Sequence, residues 1–213
     1  MIKDNLKKVQ ARICAIDKNQ QVTLIAVSKT KPIADLQQAI DAGQRHFGEN
    51  YLQEALDKIE ALKEQQLIWH FIGPIQSNKT KKIAENFDWV HSVDRFKIAK
   101  RLSDQRPREK EKLNILLQVN IDNEPTKSGV LSQDIDAIVP QIQTLENIQL
   151  KGFMCIPKPG NSTQSFAKMA TTLKRYPELD TLSMGMSHDL ELAIQYGATF
   201  VRVGSNIFGK RTR

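Results

Sequence analysis

The sequence has little cysteine and no long apolar run. Only Cys14 and Cys155 occur among its 213 residues, which is too few for a disulfide scaffold, and their spacing matches no metal or redox motif. The longest apolar stretches, such as residues 22–27, have the length of a β-strand, whereas a bilayer span needs roughly 18 residues. The first eight residues are polar and charged, with no apolar segment behind them. We therefore expect a cytoplasmic protein without a signal peptide or membrane contact.

Aromatic residues are also scarce, at 6% of the chain, although the formal net charge is +7. A basic balance allows nucleic acid or a small anion as a partner. The basic clusters at 79–82, 106–112 and 210–213 contain no interleaved aromatic side chains, which a platform for stacking single strands would require. We therefore expect these clusters to be solvated faces and predict no nucleic-acid partner. A nucleic-acid or general anion-binding protein remains an alternative.

Strand patterns and helix patterns alternate along the chain. After a helix predicted over residues 2–16, β-branched and apolar residues predict strands at 22–27, 46–48, 68–72, 89–93, 113–121, 148–156, 181–184 and 199–203. Helical patterns follow them at 34–42, 51–63, 79–86, 95–103, 133–144, 165–176 and 189–196. This alternation predicts an α/β fold in which a parallel sheet closes as a single (β/α)8 TIM barrel, with an extra N-terminal helix.

The alternative fold is an open, doubly wound sheet. Such sheets often carry a glycine-rich fingerprint after the first strand, but residues 28–32 contain no glycine. No linker rich in proline, glycine or serine interrupts the chain, so we predict one domain over residues 1–213.

Lys29 is the most informative candidate for chemistry, because functional groups of a TIM barrel lie at the C-terminal ends of its strands. Lys29 follows the first predicted strand. A lysine amine withdrawn from water loses its proton more readily and can condense with an aldehyde to form a Schiff base. The alternative is a lysine whose stem lies along the strand end and whose charge reaches solvent.

The loops after the seventh and eighth predicted strands combine glycine with serine, at Gly185 and Ser187 and at Gly204 and Ser205. Phosphate sites of TIM barrels are often built from these two loops, although each could be a simple helix cap. A phosphate site beside a reactive lysine is the pattern expected for pyridoxal 5'-phosphate.

The four histidines show no ligand spacing with one another or with the cysteines, so we predict no metal site. His91 is expected in the core or at the rim. His70 ends a predicted strand, and two positions are open for it: a wall of the pocket or a structural position in the core. We include His70 among the predicted cofactor-binding residues, in the pocket wall.

Motifs along the whole chain resemble the YggS/PROSC family of pyridoxal phosphate homeostasis proteins, which are related to the barrel domain of bacterial alanine racemase. Minor departures from the family pattern are Pro74, Ile75 and His188. The matching segments are 26–30, 47–54, 69–73, 76–79, 127–129, 152–154, 182–187, 201–205 and 207–209.

The resemblance implies that Lys29 carries pyridoxal phosphate as an internal aldimine. It implies that Ser187, Gly204 and Ser205 hold the phosphate and that Asn50 lines the ring. It also implies that Arg202 lies near the pyridine nitrogen.

Two arguments favour a protein that holds this cofactor, with no catalytic residues and little or no turnover. Arg202 is permanently protonated, so a guanidinium beside the ring nitrogen disfavours the pyridinium form and makes the ring a weaker electron sink. Racemisation needs an acid or base on each face of the substrate. Related racemases complete their active site with a second domain, whereas we expect the residues of this chain to form the barrel alone.

We therefore expect a monomer that acts in vitamin B6 homeostasis. Its open site would exchange pyridoxal phosphate with solvent or with apo-enzymes that depend on this cofactor. The main alternative is a pyridoxal-phosphate-dependent amino-acid racemase or a related enzyme.

Overall fold

A computed structural model describes residues 1–209, so the basic cluster at 210–213 lies outside the described residues. The strands are β1 Thr23–Val27, β2 His46–Glu49, β3 Ile68–Phe71, β4 Trp89–Val93, β5 Leu113–Val119, β6 Ile148–Cys155, β7 Thr181–Ser183 and β8 Phe200–Val203. The helices are α1 Ile2–Ile16, α2 Ile33–Asp41, α3 Leu52–Ala61, α4 Thr80–Asn86, α5 Phe96–Gln105, α6 Ile135–Gln143, α7 Ser162–Lys174, α8 Leu190–Gln195 and α9 Ser205–Phe208.

The strands form a closed parallel barrel in sequence order, with β8 paired to β1. Thr23 lies opposite Phe200 and Ala26 lies opposite Val203, so β1 and β8 end side by side at the same rim. The predicted TIM barrel and N-terminal helix are confirmed, and the open-sheet alternative is wrong.

Apolar residues divide between two layers, because successive side chains of a strand point to opposite faces. A small cluster of Ile25, Leu116, Met154 and Phe200 packs with Trp89 and fills the barrel interior. The larger cluster lies between the barrel and the helices and includes Phe47, Phe71 and Phe153. Strands buried on both faces are typical of a parallel barrel, and this explains why they read as near-continuous apolar runs.

Several predicted boundaries differ from the structure by one to three residues, and two of these differences have a clear cause in the local hydrogen bonds. The strand predicted to reach residue 121 ends at Val119, because the Asn120 side chain turns the chain: its Oδ1 accepts from the Glu124 N–H at 3.0 Å and its Nδ2 donates to the Glu124 carbonyl at 2.8 Å. The helix predicted from residue 165 begins at Ser162, since the Ser165 N–H already donates to the Asn161 carbonyl at 3.0 Å.

Helix α1 braces the C-terminal part of the barrel. It buries Ile2, Leu6, Val9 and Ile13, and it packs against α8 and α9. The Asn5 amide donates to the Ile207 carbonyl at 3.0 Å, which fixes α9 against α1. No helix within residues 1–209 combines the length and the apolar character needed to cross a membrane.

Candidate functional site

A cavity of about 300 Å³ opens at the C-terminal end of the barrel. Its walls come mainly from the loops after β1, β2, β6, β7 and β8, which is where a TIM barrel assembles its functional groups. Its lining residues are Val27, Lys29, Lys31, Asn50, Ile72, Ile156, Met186, Ser187, His188, Arg202, Gly204, Ser205 and Gly209.

Lys29 lies in the turn that leaves β1 and is half-buried in the cavity wall. The turn is closed by the Lys31 N–H, which donates to the Ser28 carbonyl at 3.1 Å. Lys31 also lines the cavity, and its ammonium donates to the Phe208 carbonyl at 2.9 Å. A second lysine therefore stands beside Lys29.

The loops after β7 and β8 meet in the cavity. The hydroxyl oxygens of Ser187 and Ser205 are 3.4 Å apart, so one anionic group can contact both. Gly204 lies against β1, where a Cβ would stand 3.2 Å from the Val27 carbonyl oxygen, and the absence of a side chain permits this close approach. The result is a pair of hydroxyls and a bare stretch of backbone next to Lys29.

Arg202 places a buried cation at the base of the cavity, with a relative exposure of 5%. Its guanidinium donates to the Ser183 hydroxyl at 2.6 Å and to the Cys155 carbonyl at 3.0 Å. Burial lowers the pKa of Arg202, but a guanidinium stays protonated at neutral pH. Within residues 1–209 no carboxylate forms an ion pair with it, so its charge acts on whatever fills the cavity.

Asn50 contributes a polar atom that the fold leaves unused. Its Oδ1 is buried without a hydrogen-bond partner among residues 1–209. The backbone of Asn50 is held in place by Gly73, where a Cβ would come within 2.2 Å of the Asn50 carbonyl oxygen. A buried oxygen of this kind normally has a partner, so its position on the cavity wall indicates a ligand group there.

The structure does not bring His70 to the cavity. Its ring lies in the barrel interior, fully buried, and stacks on Trp89 at a centroid distance of 5.9 Å. Its Nε2 is 3.0 Å from His46 Nδ1, and its Nδ1 is 2.9 Å from His91 Nε2. His70 and Ile72 point to the same face of the barrel, but His70 lies one layer deeper. His70 therefore occupies a structural position in the core and not the predicted position in the pocket wall.

His91 continues this line of histidines toward the cavity, since its Nδ1 is 2.8 Å from the Ser183 hydroxyl that also accepts from Arg202. Burial lowers the pKa of both His70 and His91 well below 6.5, so both rings are neutral at neutral pH. The four groups from His46 to Ser183 form a hydrogen-bonded chain, here called the histidine chain, that ends on Arg202.

The cavity chemistry suits a flat, anionic aldehyde. Lys29 offers an amine, Ser187 and Ser205 offer hydroxyls for an anion, and Arg202 offers a cation. Apolar side chains that can contact the two faces of a ring complete the walls: Val27, Ile72, Ile156 and Met186.

Comparison with known proteins agrees with this geometry. The sequence profile of the family described as alanine racemase, N-terminal domain, matches residues 1–212. The chain belongs to this family. Within it, the chain is 46% identical over 226 residues to the pyridoxal phosphate homeostasis protein of Escherichia coli K12, covering 99% of this chain and 97% of that protein. It is 51% identical over 223 residues to the protein of the same name from Pseudomonas aeruginosa, covering 99% and 96%.

Solved structures of family members have the same barrel. PipY of Synechococcus elongatus is 37% identical, covers 98% of this chain and 100% of its own, and superposes with a TM-score of 0.88 without PLP and 0.87 with PLP bound. An alanine racemase of Clostridium difficile has a TM-score of 0.72, but it is 12% identical and this chain covers 58% of it, so that likeness concerns the fold alone.

Sequence reasoning did not place several residues that the structure brings to the site or close behind it. Ile156 ends one predicted strand, whereas Met186 and His188 follow another. All three line the cavity, and their positions in the chain were the available signal. Lys58 is buried behind Lys29, with a side-chain exposure of 4%. It shares one face of α3 with Ala55, three residues earlier, and this spacing was the only indication of its burial.

Proposed function

We propose that this chain binds pyridoxal 5'-phosphate on Lys29 and acts in vitamin B6 homeostasis, with residues 1–213 serving as one cofactor-binding domain. The observation that supports this function is the convergence of Lys29, the two hydroxyls of Ser187 and Ser205, and the Arg202 cation on one cavity. When bound, pyridoxal phosphate supplies an aldehyde that reacts with a lysine amine. The name of the bacterial relatives and the PLP-bound form of PipY support the same conclusion.

Each cavity residue has a role in this proposal. The hydroxyls of Ser187 and Ser205 donate hydrogen bonds to the phosphate, and Gly204 lets the phosphate approach the backbone. Asn50 contacts a polar substituent of the ring through its unpartnered Oδ1. Arg202 faces the ring nitrogen. His70 is not assigned a contact with the cofactor, because it lies beneath the cavity.

The site favours retention of the cofactor over catalysis. The Arg202 cation disfavours protonation of the ring nitrogen, which weakens the electron sink that carbanion chemistry needs. Among residues 1–209, no carboxylate or tyrosine lines the cavity, and the acid or base groups in the lining besides Lys29 are Lys31 and His188. We propose, on the basis of the Arg202 cation, that the protein is not an enzyme. We also propose that the protein is a cytoplasmic monomer. Its proposed partners are apo-enzymes that depend on pyridoxal phosphate, and nucleic acid is not among them.

Mass spectrometry after borohydride reduction tests the assignment of Lys29. The protein loaded with pyridoxal phosphate should carry one reduced pyridoxyl group, on Lys29. In Lys29→Ala the adduct should disappear while the circular dichroism spectrum persists. Lys31→Ala is the matched control, because it removes the neighbouring amine and should leave the adduct on Lys29. An adduct of full stoichiometry on another lysine in Lys29→Ala would show that the assignment is wrong.

Chiral chromatography separates this function from the racemase alternative. The loaded protein, incubated overnight with L-alanine, should form no more D-alanine than free pyridoxal phosphate does. Formation of D-alanine over many turnovers, lost in Lys29→Ala, would establish an enzyme instead.

A further inference from the structure

A cluster of buried charges lies behind Lys29, between the barrel and α3. The ammonium of Lys58 is 2.7 Å from Glu49 Oε1 and 2.5 Å from Glu54 Oε1. The side chains of Lys58 and Glu49 are 4% and 0% exposed, and that of Glu54 is 29% exposed. No cavity-lining residue belongs to this group, here called the α3 clamp, so it cannot contact a ligand in the cavity.

The α3 clamp holds the chain on both sides of Lys29. On one side, the Lys58 ammonium donates to the Ser28 carbonyl at 2.7 Å, and the Ser28 hydroxyl donates to Glu49 Oε1 at 2.6 Å. On the other side, the Thr30 N–H donates to Glu54 Oε1 at 2.6 Å. Three charged side chains are therefore hydrogen-bonded to the two residues that flank Lys29.

The backbone conformation of Thr30 explains why these hydrogen bonds are needed. Its φ is +62°, in the left-handed region, where a β-branched residue is strained. A residue in this conformation persists only when its surroundings over-determine it. The charge-assisted hydrogen bond from the Thr30 N–H to Glu54 supplies this restraint, because a bond to a carboxylate is roughly twice as strong as a bond between neutral groups.

Fold stability alone does not account for these charges. Replacing a buried ion pair by apolar side chains of similar volume is often neutral or stabilising. Apolar residues at these positions would fill the layer between β2 and α3, but they could not bond to the Ser28 carbonyl or to the Thr30 N–H. The charged side chains therefore contribute a fixed backbone conformation on both sides of Lys29.

We infer that Glu54 and Lys58 are positioning residues, which hold Thr30 in the left-handed conformation and so direct the Lys29 side chain into the cavity. The inference rests on the proposed function, since Lys29 must be the residue that bonds the cofactor. It assigns a role in cofactor binding to residues that do not line the cavity.

Titration of the apo-protein with pyridoxal phosphate, followed by absorbance, tests the inference. Glu54→Ala should weaken binding about tenfold, which corresponds to about 1.4 kcal/mol. Thr30→Gly added to Glu54→Ala should restore most of the affinity, because glycine adopts a positive φ without strain and no longer needs the restraint. Glu60→Ala is the matched control on the same helix, since Glu60 pairs with the exposed Lys63, and it should bind like the native protein.

The possible outcomes are distinct. A lower melting temperature with unchanged affinity in Glu54→Ala would show a purely structural role and overturn the inference. Weakened binding that Thr30→Gly fails to restore, in a folded protein, would overturn the role of backbone strain. If Glu54→Ala does not fold, Glu54→Gln takes its place, and its affinity for pyridoxal phosphate should fall about threefold because a neutral acceptor bonds more weakly. Unchanged affinity in Glu54→Gln would also overturn the inference. If the native protein itself does not bind, the proposed function fails instead.

Discussion

The α3 clamp and the histidine chain bury polar groups in opposite ways. The clamp lies outside the barrel wall and holds three ionisable groups of both signs within hydrogen-bond distance of one another. The histidine chain lies inside the barrel, where His70 and His91 are fully buried, and burial lowers the pKa of each so that both are neutral at neutral pH. The clamp thus concentrates charge, and the chain avoids it.

The difference follows from what surrounds each region. A helix face packed on the barrel can supply a counter-charge one turn away, as Glu54 does for Lys58. The barrel interior is filled by inward side chains of the strands alone, and the aromatic rings of Trp89 and Phe200 surround His70. Inside the barrel, the histidine chain therefore uses neutral hydrogen bonds to reach Arg202, whose charge lies at the cavity floor.

The histidine chain has a preferred direction. The Ser183 hydroxyl oxygen accepts from Arg202, so its proton is available to His91 Nδ1. His91 Nε2–H then donates to His70 Nδ1, and His70 Nε2–H donates to His46 Nδ1. In this arrangement each contact joins one donor to one acceptor between neutral imidazoles, so the chain reaches Arg202 without placing a second charge near it.

Removing one charge from the α3 clamp should have the largest effect on stability. Lys58→Met leaves Glu49 buried without its cation, and we expect a loss of about 3–5 kcal/mol in the free energy of unfolding. Urea unfolding measures it. Lys63→Met, which removes an exposed lysine paired with Glu60, should cause no measurable change. A similar small effect of Lys58→Met would mean that Glu49 is protonated and that the clamp, like the histidine chain, avoids net charge.

Acidification should weaken the fold through the histidine chain. A buried histidine with a lowered pKa takes up a proton only on unfolding, so its contribution is complete above pH 6.5 and is lost as the pH falls. Well below that pH, each such histidine should lower the free energy of unfolding by about 1.4 kcal/mol per pH unit. Replacing His91 by Gln should reduce the measured slope by that amount. An unchanged slope would show that His91 is charged in the folded state.

Breaking a half-exposed ion pair should have the smallest effect on the free energy of unfolding, and it serves as the reference for the buried charges of the α3 clamp. Arg12 of α1 bonds both carboxylate oxygens of Glu191, at 2.5 and 2.9 Å, and donates to the Ser187 carbonyl at 3.1 Å. Their side chains are 33% and 39% exposed. Arg12→Met should therefore reduce the free energy of unfolding by about 0.5–1 kcal/mol, measured by urea unfolding. A loss as large as that in Lys58→Met would contradict the role of burial in this comparison.

The sequence allowed much of the barrel to be predicted, because eight buried strands alternate with amphipathic helices at short spacing. Lys29, Ser187, Gly204 and Ser205 could be placed in one cavity because strand ends of a closed barrel share a rim, and the family resemblance added Asn50 and Arg202. Periodicity gives the face of a strand residue but not its depth, so it could not decide between the two positions of His70. Lys58 was missed because a lysine on a helix normally faces solvent, and its contacts with Glu49, Glu54 and Ser28 compensate its burial.

The pairing of β1 with β8 links the cavity to the completion of folding. Lys29 follows β1, whereas Gly204 and Ser205 follow β8, so nearly the whole described chain separates the groups that meet there. Contacts between such distant segments form late and slowly, because closing a long loop costs entropy before it gains contacts. A chain emerging from the ribosome cannot assemble the cavity until β8 has been synthesised. A ligand that binds only the closed barrel therefore stabilises finished molecules and gives no stabilisation to incomplete ones.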